Sequence, residues 1–209
     1  MNEFYAKLNL PAIDKLVKET ELVDREIGYK DSYRVRAIDD VLTRYAIEFL
    51  KDHNLNPRFI IDLFPYDKSM GPTANRTIHT DAIITDGVWT PIICGINFEL
   101  FEEVDAEWSW WDMKKFPSVY INSDKDDGTD ATMIKLRGSH HGMLGVPEGA
   151  VELARLKYGS SPYLIRSEIP HLLTYNSKAR LRHGMSIRFH ETWKTWEECL
   201  EAFKPLIDL

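Results

Sequence analysis

The sequence predicts a mainly β fold, a double-stranded β-helix or jelly roll, and three observations point there. From Arg58 onward, eight short runs rich in β-branched and aromatic residues follow one another between Gly, Pro, Asn and Asp clusters. All but one of the spacings are too short to hold a crossover helix, so a parallel α/β sheet is disfavoured and an eight-stranded antiparallel jelly roll is the natural closure. A chain of 209 residues, 44% apolar and 11% aromatic, has the size and composition of one ordinary domain with a full core.

Taken in order, residues 1–57 read as a mostly helical support. Asp39 or Asp40 caps a helix in which Val41, Leu42, Tyr45, Phe49 and Leu50 recur at helical spacing, and Asn54, Asn56 and Pro57 stop it. The β core, 58–190, comprises Arg58–Phe64, Thr77–Asp86, Thr90–Leu100, Glu107–Met113, Pro117–Asn122, Thr132–Arg137, Pro162–Ile169 and His183–His190. Pro147-Glu148 starts a helix that runs to Lys157 and ends at Gly159. Ser123–Asp130, where charge, Gly and Asp dominate, reads as a solvated hairpin tip. In 191–209, Thr192 caps a C-terminal helix whose stripe is Trp193, Trp196, Leu200 and Phe203.

Charge narrows the partners. Twenty-six Lys and Arg against 33 Asp and Glu leave a net charge of −7, which opposes a phosphate backbone and makes nucleic acid a poor partner. Two cysteines, Cys94 and Cys199, without CxxC or metal-ligand spacing, read as buried free thiols of a reducing compartment. No apolar run approaches the ~18–20 residues that span a bilayer, and the N-terminus lacks a secretion signal, so a cytoplasmic location is expected.

One pair of residues carries chemistry. In a strand, positions i and i+2 project from one face, so His79 and Asp81 of His79-Thr80-Asp81 can offer an imidazole nitrogen and a carboxylate oxygen to one point. His171, 90 residues after Asp81 at the end of another run, supplies a third ligand. Two His and one carboxylate on one face of an octahedron leave three positions open, the arrangement of non-haem Fe(II) oxygenases. Arg182, Gly184, Ser186 and Arg188 share a face of the last strand, where an arginine fork can hold a carboxylate bidentately. Arg180, Arg182 and Arg188 compete for that role, with Arg180 read as surface.

The set His79-x-Asp81, Pro170-His171, Arg182 and Ser186-Ile187-Arg188-Phe189, with Gly95–Leu100 and Trp108–Trp111, resembles the Fe(II)/2-oxoglutarate-dependent dioxygenases. The likeness is to small proteins, some of them viral, related to prolyl and aspartyl/asparaginyl hydroxylases, and it spans about Thr77 to Phe189. It implies a jelly roll that holds Fe(II) through His79, Asp81 and His171. 2-Oxoglutarate would chelate the metal at its keto-acid end and reach Arg182 with its far carboxylate, and Asn97 would hydrogen-bond it. O2 would be the co-reactant, succinate and CO2 the by-products, and an amino-acid side chain, free or in a protein, the prime substrate. Trp108 and Trp110, on one face of their strand, would form an aromatic wall for that substrate.

Other readings differ in their requirements. A nucleic-acid demethylase shares the HxD, distal His and paired-arginine pattern, against the charge. A cupin-like metal protein uses the same ligands without needing Arg182, and a purely structural jelly roll binds no metal. Asp81 disfavours the halogenating branch, which lacks that carboxylate. His140-His141 reads as a glycine-flanked loop, and the run Glu99, Glu102, Glu103, Asp105 and Glu107 as a solvated turn.

Overall fold

The computed structural model describes residues 2–10, 33–36, 41–63, 78–85, 88–99, 106–114, 118–121, 131–136, 146, 148–175, 184–189 and 193–208. Thirteen strands occur among them: β1 (Tyr5–Lys7), β2 (Tyr33–Arg36), β3 (Pro57–Leu63), β4 (His79–Thr85), β5 (Val88–Pro91), β6 (Cys94–Glu99), β7 (Ala106–Asp112), β8 (Ser118–Ile121), β9 (Ala131–Leu136), β10 (Val151–Tyr158), β11 (Tyr163–Arg166), β12 (His171–Tyr175) and β13 (Gly184–Phe189). Helix α1 (Val41–Asp52) follows β2, and α2 (Trp196–Phe203) runs into a 3-10 turn, Lys204–Leu206. The molecule is therefore mainly β, as expected. The strands make two antiparallel sheets, one ordered β1-β11-β6-β13-β3-β2 and the other β10-β7-β12-β4-β9-β8, with β5 on the free part of β4.

Helices cover the outside of the first sheet. There Cys94, Ile96 and Phe98 of β6, Leu164 of β11, and Met185, Ile187 and Phe189 of β13 meet Ile47 and Leu50 of α1 and Trp196, Cys199 and Phe203 of α2. The inner face of that sheet meets the second one, where Ile165 packs with Trp108 and Trp110 of β7, Leu156 of β10 and Leu173 of β12. With both faces covered, all six residues of β6 are buried. Its outer face is apolar, whereas Asn97 and Glu99 look inward. Those two inward residues matter below.

Two long runs expected as single strands are each broken by a passage between sheets. The run Thr90–Leu100 is β5 in the second sheet and β6 in the first, separated at Ile92-Ile93. Likewise Pro162–Ile169 contains β11 in the first sheet and then a corner, Ser167–Pro170, that delivers the chain to β12 in the second. The expected helix Pro147–Lys157 is a correction: Val151–Tyr158 is a strand, paired with β7 from Val151↔Asp112 to Tyr158↔Ala106. Gly149 at φ 85 ends the helical course that Pro147-Glu148 signalled. Beyond it Leu156 is buried between exposed Arg155 and Lys157, a period of two. A bulge lies between Glu152 and Ala154 of this strand, which is at the edge of its sheet among the described residues.

The N-terminal third is less helical than expected. Helix α1 occupies the expected place, but Tyr5–Lys7 and Tyr33–Arg36 are strands, and 11–32 fall outside the described residues. The C-terminal helix starts later than expected: Thr195, not Thr192, is the cap, its Oγ1 accepting from Glu198 N at 3.2 Å. Trp193 precedes the helix yet still packs on Phe189 and Phe203. The hairpin tip 123–130 lies outside the described residues.

Trp196 is 2% exposed in the layer between α2 and the first sheet. Trp196→Ala is expected to lower unfolding free energy by about 3–5 kcal/mol, measured by urea denaturation followed by circular dichroism.

Candidate metal centre

The strand pattern of β4 sends His79 and Asp81 to one side, and antiparallel pairing of β4 with β12 sets His79 opposite His171. One ligand atom from each of the three lies within 4.8 Å of the others. His79 Nε2 is 3.7 Å from Asp81 Oδ1, and the two imidazole rings are 4.4 Å apart at their centroids. Two nitrogens and a carboxylate oxygen so close could hold a metal ion. The donor set fits Fe(II), and also other first-row divalent ions.

His171 carries the clearest sign of that use. Its Nδ1 lies 2.9 Å from Ile169 O; a carbonyl only accepts, so Nδ1 bears the proton and Nε2 keeps its lone pair. That Nε2 is buried and has no hydrogen-bond partner. The backbone carbonyl thus sets the tautomer and ring angle, as such carbonyls do for metal-binding imidazoles. Burial, with His79 beside it, pushes the His171 pKa down to about 3, so the ring is neutral and able to ligate at pH 7.

Asp81 is held from several sides. Burial alone would raise its pKa, but the Arg188 guanidinium and the two imidazoles outweigh it and keep the carboxyl below its usual range. Arg188 Nη2 donates to Asp81 Oδ2 at 2.5 Å. This leaves Oδ1 on the His79 side. The backbone is clamped as well: Asp81 N donates to Ser167 O and Asp81 O accepts from Ile92 N, each at 2.9 Å. Ser167 in turn gives its N–H to Ile93 O at 2.9 Å and its hydroxyl to Ile92 O at 2.8 Å. Both passages between the sheets therefore meet at this one aspartate.

Sequence reasoning missed Ser167, and a lone serine between Arg166 and Glu168 gives no signal by which to find it. It also expected Glu99 on a solvated turn; that is corrected, since Glu99 is fully buried at the end of β6, on the same inner face as Asn97. Asn97 is 1% exposed in a strand flanked by β11 and β13, so it is no edge group. Its Nδ2, the Oγ of Ser186 directly opposite, and Nε and Nη1 of Arg188 are buried without hydrogen-bond partners. Leaving a buried donor unpaired costs about 1–3 kcal/mol, so these groups are available to an acceptor.

A glycine makes room for Arg188. A Cβ on Gly95 would stand 1.6 Å from Arg188 Nη1, so the guanidinium lies flat on the β6 backbone only because position 95 has no side chain. Trp108 and Trp110 do face inward together, with rings 6.3 Å apart. Trp108 packs on His171 at 5.1 Å. Trp110 is wholly buried against Phe4 and Tyr5, with Nε1 donating to Arg166 O, and has no surface to offer a ligand. Arg180, Arg182, His140, His141, Glu102, Glu103 and Asp105 lie outside the described residues. Among those described, no helix is long and apolar enough to cross a membrane.

Comparison with known families found no family model that matches this chain. Comparison with curated proteins likewise found no similar one.

Two outcomes are expected. Gly95→Ala displaces the guanidinium from Asp81 and weakens metal binding about 10–100-fold, read by calorimetric titration with Co(II), while the circular dichroism spectrum is unchanged. For the metal-free protein, the unfolded chain takes up a proton on residue 171 near pH 6.5 that the folded chain refuses until about 3. Protonation therefore favours unfolding across that window. Stability falls as pH drops from 6.5 toward 3, by about 1.4 kcal/mol per unit from this group, and His171→Gln flattens that slope in urea melts.

Proposed function

We propose that the protein is an Fe(II)- and 2-oxoglutarate-dependent oxygenase with a double-stranded β-helix core, hydroxylating an amino-acid side chain, free or within a protein. The observation that carries this reading is the unpartnered, proton-free Nε2 of buried His171, set beside His79 and Asp81. The two antiparallel sheets, with the ligands on facing strands of one and a buried arginine on the other, support it.

Bound Fe(II) and 2-oxoglutarate would supply the oxidising power, with succinate and CO2 released. The chain's own share is geometry and exclusion of water. Asp81 would offer Oδ1 to a metal, since Arg188 occupies Oδ2. His171, shielded by Trp108, binds without exposure to solvent, whereas the His79 side chain is 26% exposed, so the approach for a substrate is on the His79 side. The unpaired donors of Asn97, Ser186 and Arg188 suit the carboxylate oxygens of a keto acid. Since Arg188 is already engaged with Asp81, Arg182 is the arginine assigned to the far carboxylate.

A nucleic-acid demethylase of the same superfamily is the second reading. One observation favours it: Arg188 sits on the carboxylate ligand, so two arginines six residues apart have separate duties, the paired pattern of those enzymes. The net charge of −7 favours the hydroxylase.

Anaerobic addition of Fe(II) and then 2-oxoglutarate is expected to produce the visible charge-transfer band of the chelate. His171→Ala abolishes it, and Arg182→Ala raises the 2-oxoglutarate needed at least about tenfold. Metal binding without the band sinks the oxygenase reading in favour of a cupin-like metal protein; no metal binding sinks both.

A further inference from the structure

The rings around Trp108 and Trp110 form a continuous course from the ligand cluster toward solvent. Centroid to centroid, Trp108 lies 5.1 Å from His171, Trp110 6.3 Å from Trp108, Tyr5 5.7 Å from Trp110 and Tyr163 6.1 Å from Tyr5. Both tryptophans are buried, whereas Tyr5 of β1 and Tyr163 of β11 are only partly so. Core packing alone asks for no particular ring at each step, since benzene rings fill such space equally well. Here every ring beyond His171 is an indole or a phenol, which give up an electron far more readily than benzene. The rings packed beside α2 differ, for there Trp193 touches Phe189 and Phe203, which stop such a transfer. Trp110 Nε1 donates to Arg166 O at 2.8 Å, and a carbonyl only accepts that hydrogen bond, so the indole keeps its proton and passes an electron alone.

We infer that Trp108, Trp110, Tyr5 and Tyr163 form an electron relay that drains oxidising equivalents from the metal centre to the surface when no prime substrate is bound. The inference rests on the oxygenase reading above. A turnover without prime substrate converts one 2-oxoglutarate and one O2 to succinate and CO2 and leaves two oxidising equivalents at the site. Trp108, against His171, gives one electron toward the centre; Trp110 refills Trp108, and Tyr5 refills Trp110. Tyr5 is left as a neutral phenoxyl radical, its proton passing to water, and shares the radical with Tyr163. A soluble thiol restores the phenol by giving up a hydrogen atom. Two passages consume two thiols, which join as one disulfide, and the remaining oxygen atom leaves as water. Electron tunnelling weakens exponentially with distance, so several short steps outpace one long one. The relay thus spares the buried ligands and Trp108 from the oxidant, a competing reaction that the protein has to suppress.

The test uses the full chain loaded with Fe(II), mixed with 2-oxoglutarate and O2 in one arm and with hydrogen peroxide alone in the other, without prime substrate or thiol. Samples are frozen for electron paramagnetic resonance, and oxidised residues are mapped by peptide mass. The expected result in both arms is a tyrosyl radical signal, with oxidation at Tyr5 and Tyr163, and added thiol quenches it. Tyr5→Phe abolishes the signal and moves oxidation back to Trp110, whereas Tyr163→Phe leaves the radical on Tyr5. Trp110→Phe moves oxidation to Trp108 and His171; Tyr5→Phe, at a partly exposed position, decides the matter even if that variant does not fold. His171→Ala, which lacks a ligand of the centre, gives none of these products. Three results overturn the relay: metal-loaded protein without a tyrosyl signal in the peroxide arm, a signal that survives Tyr5→Phe, or the same oxidation map in His171→Ala. A signal in the peroxide arm alone leaves the relay standing and sinks the 2-oxoglutarate reading, and absence of metal binding sinks both.

Discussion

The ion pair between Arg188 and Asp81 is the interaction on which the rest of the architecture turns. It is the point where the first sheet reaches across to the second, and it joins groups 107 residues apart in sequence. A buried charge pair of this kind contributes little net stability, because desolvation offsets the attraction, but removing one partner strands the other. Its value lies in orientation. With Oδ2 tied, the aspartate has one oxygen facing the imidazoles, and its lowered pKa keeps that oxygen ionised. Nearby features serve the same geometry: Gly95 gives the guanidinium its bed, and the Ser167 corner fixes the backbone beneath the carboxylate.

The first sheet divides its labour by face. Outward, Cys94, Ile96, Phe98, Met185, Ile187 and Phe189 give α1 and α2 an apolar platform, and this burial is what stabilises the layer. Inward, on the alternate positions of the same two strands, stand Asn97, Glu99, Ser186 and Arg188, all buried. A sheet that spends one face on stability can carry polar groups on the other at a cost it is able to bear. The period of two in a strand lets six consecutive buried residues serve both ends.

Much of this is legible in the sequence, and the rest is hidden for identifiable reasons. His79, Asp81 and His171 stand out because ligand-type side chains at i and i+2 in an apolar run are chemically conspicuous. The strands from Arg58 on show themselves by composition. The breaks at Ile92-Ile93 and Ser167–Pro170 do not, because a chain passing from one sheet to another stays apolar and β-like throughout. Val151–Tyr158 was misread because Val151, Ala154 and Leu156 fit a helix loosely, while the pairing that makes them a strand comes from Trp108–Asp112, some forty residues earlier. Ser167 and the engagement of Arg188 with Asp81 are long-range facts that no local pattern encodes.

The bulge in β10 has a consequence outside the site. Among the described residues this strand pairs on one side only, and it carries Val151 and Leu153 exposed. A regular, apolar edge of that kind is a template on which another molecule's strand can grow. The extra residue between Glu152 and Ala154 twists the row of amides and carbonyls out of line, and Arg155 and Lys157 add charge beside it. The irregularity thus makes this rim a poor template for strand addition, whatever the apolar character of Val151 and Leu153.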